Sequence, residues 1–274
     1  MQVAACRAAH LRFDPAPHLL EDRFAEPLIG ADGEGLIGLY ADGGHWILRE
    51  NRLFIPFRAR YAEELVAEAY RAGVRQLVLL GAGLDTFGLR RPASLPGLRV
   101  IEVDHPATQG WKRQRLAEIG LPLPDYLSFV ECDFETTSVP AALRGTSFRS
   151  DAPAVVSWMG VVYYLAKETV SKALAELAGL LAPGSAIVLD YQFPLEGLPQ
   201  RYREVVAAMT TVLDRVGEPQ ANRYLPDELR EELLAAGFAR AELPARTELY
   251  RRYFEPLASP IPMSERFGIA VAWR

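Results

Sequence analysis

Residues 77–92, LVLLGAGLDTFGLRRP, decide the fold class of this chain. Four apolar residues run directly into Gly81 and Gly83, a pattern typical of a buried parallel strand that ends in a tight turn. In open α/β sheets, ligands bind at the carboxyl ends of such strands. The stretch therefore predicts the first strand of a ligand-binding, doubly wound sheet.

The chain on either side of this stretch supports the same fold class. From about residue 57 onward, strand-like apolar runs alternate with helical patterns, which is typical of a doubly wound, mostly parallel α/β sheet. The predicted strands are 76–80, 98–103, 127–130, 154–158 and 185–189, followed by candidates at 239–243 and 268–273. The predicted helices include 58–71, one with Trp111, Arg115 and Ile119 spaced by four, 167–182, 201–216 and 227–236.

The 274 residues are expected to form a single domain, because no linker-like tract interrupts them. Residues 1–56 do not alternate between strand and helix and predict an N-terminal helical cap. Residues 57–191 are interpreted as a cofactor-binding core, residues 192–225 as a lid insertion, and residues 226–274 as the C-terminal part of the sheet.

Composition excludes several classes of partner. The formal net charge is −5, so the chain has no basic footprint for nucleic acid. No apolar run is long enough to cross a bilayer, and the two cysteines, Cys6 and Cys132, fit no metal-binding spacing. We expect a soluble, cytoplasmic protein without a metal or a disulfide. The sequence gives no indication of its oligomeric state.

The residues around the glycine turn discriminate between two adenosine cofactors. Asp104 follows Gly81 by about 20 residues, the spacing at which an acid binds a ribose diol. Asp85 and Thr86 stand where a dinucleotide site places a third glycine, and Asp85 would repel a pyrophosphate. It would not repel a sulfonium or an ammonium group. We therefore expect S-adenosylmethionine, and an NAD(P)-dependent oxidoreductase is the alternative.

Four segments carry a family resemblance: GAGLDT, IEVDHP, ECDF and SWMGVVYYL. They resemble the class I methyltransferases of the leucine carboxyl methyltransferase type, and most of all the bacterial small-molecule O-methyltransferase branch. The resemblance implies a Rossmann-like sheet of seven strands whose last strand is antiparallel. It implies methyl transfer to a small-molecule carboxylate or acidic hydroxyl, in specialised, polyketide-like metabolism. A non-catalytic binding protein of the same fold is a further alternative.

The resemblance also implies roles for individual residues. Cofactor contacts are implied for Arg58 at the methionine carboxylate, Gly81, Ala82, Gly83 and Asp85 at the turn, Asp104 at the ribose, Asp133 and Phe134 at the adenine, and Met159. Related carboxyl methyltransferases often carry a glutamate where this chain has Met159. Tyr163 and Tyr191 are expected at the acceptor. We expect no catalytic residue in the strict sense, because a carboxylate acceptor is already ionised at pH 7.

Overall fold

The computed structural model of the chain describes residues 1–215, 220, 222–258 and 262–274. Within them, seven strands form one sheet in the order β3-β2-β1-β4-β5-β7-β6. The first five strands are parallel, whereas β7 runs antiparallel to both of its neighbours. This confirms the predicted doubly wound sheet. The strands are β1 Gln76–Leu80, β2 Arg99–Asp104, β3 Leu127–Glu131, β4 Val155–Trp158, β5 Ala186–Gln192, β6 Arg240–Glu242 and β7 Phe267–Trp273.

Helices cover both faces of the sheet and extend over its carboxyl edge. Short 3₁₀ turns lie at Ala31–Gly33, Val162–Tyr164 and Leu195–Gly197, and a π-helical turn at Tyr250–Phe254. The α-helices are α1 Gln2–Phe13, α2 Ala25–Ile29, α3 Glu34–Gly38, α4 Trp46–Arg71, α5 Phe87–Arg90, α6 Pro106–Glu118, α7 Val139–Leu143, α8 Lys167–Leu180, α9 Gln200–Arg215, α10 Pro226–Ala235 and α11 Arg246–Leu249. None of the helices in the described residues combines the length and apolarity needed to cross a membrane.

Strand β1 is buried on both faces, as its unbroken apolar run predicts. Val78 and Leu80 pack into the cluster beneath α8 and α10, which includes Trp158. Leu77 and Leu79 pack into the opposite cluster, beneath α4. With cores on both faces, the carboxyl edge of the sheet is where a ligand can approach the backbone.

Helix α4 begins earlier than the sequence pattern predicts. It runs unbroken from Trp46 through Pro56 to Arg71, so the predicted boundary at residues 56 and 57 falls inside a helix. Pro56 removes one backbone hydrogen bond, but Phe54 and Phe57 beside it are fully buried. Burial of apolar surface on both sides of the proline sustains the helix.

Two helical faces can be compared with their sequence patterns. The predicted stripe of α8 and the turn after it, Val170, Leu174, Leu177 and Leu181, is buried as expected. On α6, by contrast, Trp111 is 39% exposed, and the buried face carries Gln109, Lys112 and Leu116. The spacing-by-four pattern therefore does not mark the inner face of α6. Nε2 of Gln109 donates to the carbonyls of Glu102 and Val130, and Lys112 forms an ion pair with Glu102, so both polar side chains have partners inside the fold.

The reversed direction of β7 brings additional residues to the carboxyl edge of the sheet. Gln192, the last residue of β5, pairs with Phe267, the first residue of β7. Residues immediately before β7 therefore lie at the same edge as residues immediately after the parallel strands.

Candidate active site

A cavity of about 230 Å³ opens at the carboxyl edge, between β1, β4, α4 and α1. The structure brings six of the predicted cofactor-binding residues to its wall. They are Arg58, Gly81, Ala82, Gly83, Asp85 and Met159. The first turns of α1 form another wall, through Val3, Ala4 and Arg7. The N-terminal cap thus contributes directly to the pocket.

The glycine turn requires its glycines. Gly81 has φ +62° and Gly83 has φ +50°, a region in which other residues are strained. A Cβ at Gly81 would also overlap the side chain of Val161. The Gly81 N–H donates to the carbonyl of Val103 at 2.8 Å, which joins the turn to the end of β2.

Asp104 is fixed against this turn by both of its carboxylate oxygens. Oδ2 accepts a hydrogen bond from the N–H of Gly83, and Oδ1 accepts one from the N–H of His105 at 2.6 Å. A carboxylate oxygen can accept two hydrogen bonds, so each keeps a lone pair for a further donor. These two bonds fix the orientation of the Asp104 carboxylate, which does not line the cavity itself. Its predicted contact with a ribose stays a prediction.

Asp133 and Phe134 follow β3 along the same edge and also lie outside the cavity wall. Oδ1 of Asp133 accepts the N–H of Glu135 at 3.0 Å. Phe134 packs edge-on against Trp158, with ring centroids 6.5 Å apart. Their predicted contact with adenine stays a prediction.

Arg58 and Asp190 form a deeply buried ion pair at the cavity. Nη1 of Arg58 lies 2.6 Å from Oδ2 of Asp190, with side-chain exposures of 5% and 0%. Nη1 also donates to the hydroxyl of Tyr163 at 3.0 Å, while Oδ1 of Asp190 accepts the N–H of Gly160 at 2.6 Å. Burial lowers the pKa of Arg58, but the ion pair outweighs burial and holds that pKa above its ordinary value.

The ion pair with Asp190 occupies Nη1 of the Arg58 guanidinium and leaves its other nitrogens as possible donors to a ligand. Among the described residues, both side-chain hydrogen bonds of Arg58 leave from Nη1. Nη2 points toward Gly160, where a Cβ would lie only 2.6 Å away. The guanidinium is thus held rigidly at the wall with hydrogen-bond donors to spare.

A second buried ion pair contacts the main chain of Asp85. Lys112 of α6 forms an ion pair with Glu102 of β2, and both side chains are 1% exposed. The same ammonium donates to the main-chain carbonyl of Asp85 at 2.6 Å. The Asp85 carboxylate in turn accepts the N–H of Phe87, the first residue of α5, at 2.7 Å. Burial raises the pKa of Glu102 to about 7, with Lys112 acting in the opposite direction.

The structure reveals a further contact that sequence reasoning missed. Arg7 of α1 pairs with the buried Asp22 at 2.6 Å and donates to the carbonyl of Leu84 at 2.5 Å. This bond joins the N-terminal cap to the glycine turn across 77 residues of sequence. The sequence does show an arginine within a short, alanine-rich helical segment. It does not show that Asp22 and the carbonyl of Leu84 are the partners of this arginine.

The remaining predicted residues lie in the core or at a helix end. Tyr163 packs beside Phe267 and touches Arg58, so it adjoins the site. Tyr191 is buried on the opposite face of β5 from Asp190, within the cluster beneath α8, and its acceptor contact stays a prediction. His105 caps α6 through its ring nitrogen. Burial raises the pKa of the Cys6 thiol to about 12 and that of Cys132 to about 11.

Comparison with known proteins places the chain in a family. A family model described as leucine carboxyl methyltransferase matches residues 1–178. YktD of Bacillus subtilis, provisionally named an S-adenosyl-L-methionine-dependent methyltransferase, is 35% identical over 184 residues, which is 66% of this chain and 59% of YktD. A Mycobacterium tuberculosis protein of similar provisional name is 34% identical over 199 residues, 69% of this chain and 63% of that protein. The matches thus span less than two thirds of these relatives.

Solved structures share the fold at low sequence identity. A protein of Thermobifida fusca, provisionally described as a methyltransferase, has a TM-score of 0.61 at 19% identity, over 97% of both chains. A DUF574 family protein of Streptomyces avermitilis has a TM-score of 0.61 at 18% identity, over 90% of this chain and 94% of that one. These likenesses concern the fold. The family model covers well over half of the sequence, and the chain therefore belongs to the leucine carboxyl methyltransferase family.

Proposed function

We propose that this protein binds S-adenosylmethionine in the cavity at the carboxyl edge and transfers its methyl group to an oxygen of a small molecule. The acceptor is a carboxylate or an acidic hydroxyl. The observation that carries the proposal is the buried Arg58, which Asp190 holds at the wall of a cavity that the Gly81–Gly83 turn also lines. The names of the relatives YktD and its mycobacterial counterpart support the same cofactor.

Residues at the cavity, and Asp104 beside the glycine turn, have the chemistry to bind the polar groups of this cofactor. Arg58 has free donors for a carboxylate, and Asp104 has free lone pairs for a ribose diol. Asp85 contributes negative charge at the wall, which favours a sulfonium and an ammonium and disfavours the pyrophosphate of NAD(P). Met159 offers a soft, polarizable surface in place of a charge. The oxidoreductase alternative is accordingly the weaker one.

Catalysis by this chain would rest on positioning. Bound S-adenosylmethionine supplies an electrophilic methyl group on sulfur, and the acceptor oxygen must approach it in line. A carboxylate with a pKa near 4 is already ionised at pH 7 and needs no general base. His105, the histidine closest to the turn in sequence, is occupied as a helix cap. Orientation and exclusion of water can contribute on the order of 7–11 kcal/mol to such a reaction. The expectation of a specialised metabolite as acceptor stays a prediction.

Replacing Asp104 by alanine tests the ribose assignment. We expect the variant to bind S-adenosylhomocysteine more weakly by about 1–3 kcal/mol, because hydroxyl donors of the ligand and two backbone N–H groups lose their acceptor. Isothermal titration calorimetry measures the affinity. Asp125→Ala, which removes an exposed acid from the loop before β3, is the matched control and should bind normally. Equal affinities of the Asp104 variant and the wild-type protein would contradict the assignment.

A further inference from the structure

Four charged side chains line the cavity at the carboxyl edge, and they differ in whether an opposite charge lies beside them. They are Arg7, Arg58, Glu63 and Asp85. In a site partly shielded from water, a charge that has no partner in the protein acts strongly on the charge of a ligand. The pairing of these side chains therefore indicates which ligand charge the cavity favours.

Both arginines are neutralised by buried carboxylates. Nε of Arg7 lies 2.6 Å from Oδ2 of Asp22, and Nη1 of Arg58 lies 2.6 Å from Oδ2 of Asp190. The side chains of the two aspartates are fully buried. Each arginine, counted with its aspartate, thus adds no net charge to the cavity.

Glu63 of α4 is neutralised in the same way. Its two carboxylate oxygens accept hydrogen bonds from the two Nη atoms of Arg90, and the bond from Nη1 to Oε2 measures 2.8 Å. A bidentate pair of this kind is among the strong charge-assisted contacts in proteins. Glu63 and Arg90 together therefore also add no net charge.

Asp85 differs from these three residues because no lysine or arginine of the described chain forms an ion pair with its carboxylate. Oδ1 accepts the N–H of Phe87 at 2.7 Å, which is a bond to a neutral donor. The ammonium of Lys112 donates to the main-chain carbonyl of Asp85, but its ion pair is with Glu102. Asp85 thus leaves one uncompensated negative charge at the half-buried wall of the cavity.

This charge count depends on the ionisation of Glu102. Burial raises the pKa of Glu102 to about 7, with Lys112 acting in the opposite direction. Above that pH Glu102 is ionised and cancels the charge of Lys112. The uncompensated charge of Asp85 is therefore best measured slightly above pH 7.

The substrate and the product of methyl transfer differ by one charge. S-adenosylmethionine carries a sulfonium, an ammonium and a carboxylate, which leaves one net positive charge. During transfer the acceptor oxygen forms a bond to the methyl carbon, the carbon–sulfur bond breaks, and its electron pair stays on sulfur. The sulfonium becomes a neutral thioether, so S-adenosylhomocysteine has no net charge.

We propose that Asp85 is a specificity-determining residue that favours S-adenosylmethionine over S-adenosylhomocysteine by charge. This inference rests on the proposed function. The attraction between the Asp85 carboxylate and the sulfonium is present before methyl transfer and disappears with the transfer. Asp85 thus strengthens binding of the substrate without strengthening binding of the product, and it limits inhibition by the product.

A purely structural role of Asp85 predicts a different result. Its carboxylate also holds the first residue of α5, and loss of that hydrogen bond would weaken both ligands alike by displacing the glycine turn. Asp85→Asn keeps a side-chain oxygen that can accept the N–H of Phe87 and removes only the charge. The ratio of the two affinities in this variant therefore reports the effect of the charge.

Calorimetry at pH 7.5, without an acceptor, tests the proposal. The ligands are S-adenosylmethionine, S-adenosylhomocysteine and sinefungin, an analogue with an ammonium in place of the sulfonium. We expect Asp85→Asn to bind S-adenosylmethionine and sinefungin at least fivefold more weakly than the wild-type protein, and to bind S-adenosylhomocysteine within twofold. Asp125→Asn, at an exposed acid in the loop before β3, is the matched control and should leave all three affinities unchanged.

The outcomes separate this proposal from the proposed function. If Asp85→Asn changes the affinities for S-adenosylmethionine and S-adenosylhomocysteine by the same factor, or changes neither, the assignment of Asp85 is wrong and the cofactor assignment stands. If sinefungin follows S-adenosylhomocysteine, the site does not recognise the positive charge and the proposal also fails. If the wild-type protein binds none of the three ligands, the proposed function itself fails.

A second neutral variant protects the test against a folding defect. The hydroxyl of Asp85→Ser can also accept a backbone N–H two residues further along the chain. The melting temperatures of both variants show whether each is folded. We expect the same change in the ratio of affinities in every folded variant, because both substitutions remove the same charge. A change confined to the asparagine variant, with the serine variant folded and unaffected, would contradict the proposal.

Discussion

Replacing Asp190 by alanine is expected to lower the free energy of unfolding by about 3–5 kcal/mol, because it leaves Arg58 as a buried charge without a partner. The variant also removes the acceptor of the Gly160 N–H. In a domain of this size, each kcal/mol changes the melting temperature by about 2–4 °C. Thermal and urea-induced unfolding should both report the loss.

Asp190→Asn separates the charge from the hydrogen bonds. The amide oxygen can still accept from one of the two donors, Arg58 or Gly160, so this variant should lose less stability than the alanine variant. The double variant Arg58→Met, Asp190→Leu should recover much of the loss, because apolar residues of similar size often replace a buried ion pair at little cost. A fully additive loss in the double variant would mean that the two side chains are not coupled.

The same variant tests whether Arg58 contacts the cofactor. In Asp190→Asn, a ligand carboxylate would supply the negative charge that Arg58 has lost. S-adenosylhomocysteine should then raise the melting temperature of this variant by more than it raises that of the wild-type protein. An equal or smaller rise would contradict the assignment of Arg58 to the methionine carboxylate.

The strands of the sheet were predictable because each is a short apolar run bounded by turn residues. Strand β1 and the buried stripe of α8 match their predictions closely. A strand buried on both faces is a continuous apolar run, and a helix buried on one face has apolar residues every three to four positions. The start of α4 was not predictable. Tertiary burial of Phe54 and Phe57 overrides the local effect of Pro56, and no short-range pattern reports it.

The candidate site was predictable only where it depends on strand ends. Gly81 and Gly83 follow β1, and Asp104 is the last residue of β2. Because the carboxyl ends of parallel strands lie at one edge of the sheet, the order of the strands is enough to predict that these residues are close together. Asp190, the partner of Arg58, lies 132 residues further along the chain. Their contact depends on how the whole sheet is arranged, so no local sequence pattern predicts it.

Replacing Lys112 by methionine is expected to have an effect of similar size that depends on pH. At pH 8 the variant should lose about 3–5 kcal/mol of stability, because Glu102 becomes a buried carboxylate without a cation. At pH 5 the loss should be much smaller, since Glu102 can then be protonated and neutral. Lys172→Met, at an exposed lysine of α8, is the matched control and should show neither effect.

The direction of this pH dependence follows from the pKa of Glu102. In the folded protein burial raises that pKa from 4.5 to about 7, and loss of Lys112 should raise it further. A carboxyl group with a raised folded pKa contributes stability that is fully present below its unfolded pKa. This contribution is lost as the pH rises through the folded value. Up to about pH 7 the wild-type protein and the variant should lose this contribution alike, and above that pH only the variant should continue to lose it. Urea unfolding from pH 5 to pH 8 should therefore show the gap between the two proteins widening above about pH 7.

The double variant Lys112→Met, Glu102→Gln distinguishes the two contacts that Lys112 makes. Without a carboxylate at position 102, the steep pH dependence should disappear and most of the stability should return. The carbonyl of Asp85 still lacks the ammonium that donates to it at 2.6 Å, so the glycine turn stays less firmly held. We therefore expect the double variant to bind S-adenosylhomocysteine more weakly than the wild-type protein by about 1 kcal/mol, the contribution of a typical hydrogen bond. Wild-type affinity in a stable double variant would show that Lys112 serves only to neutralise Glu102, and that the position of the cofactor turn does not depend on it.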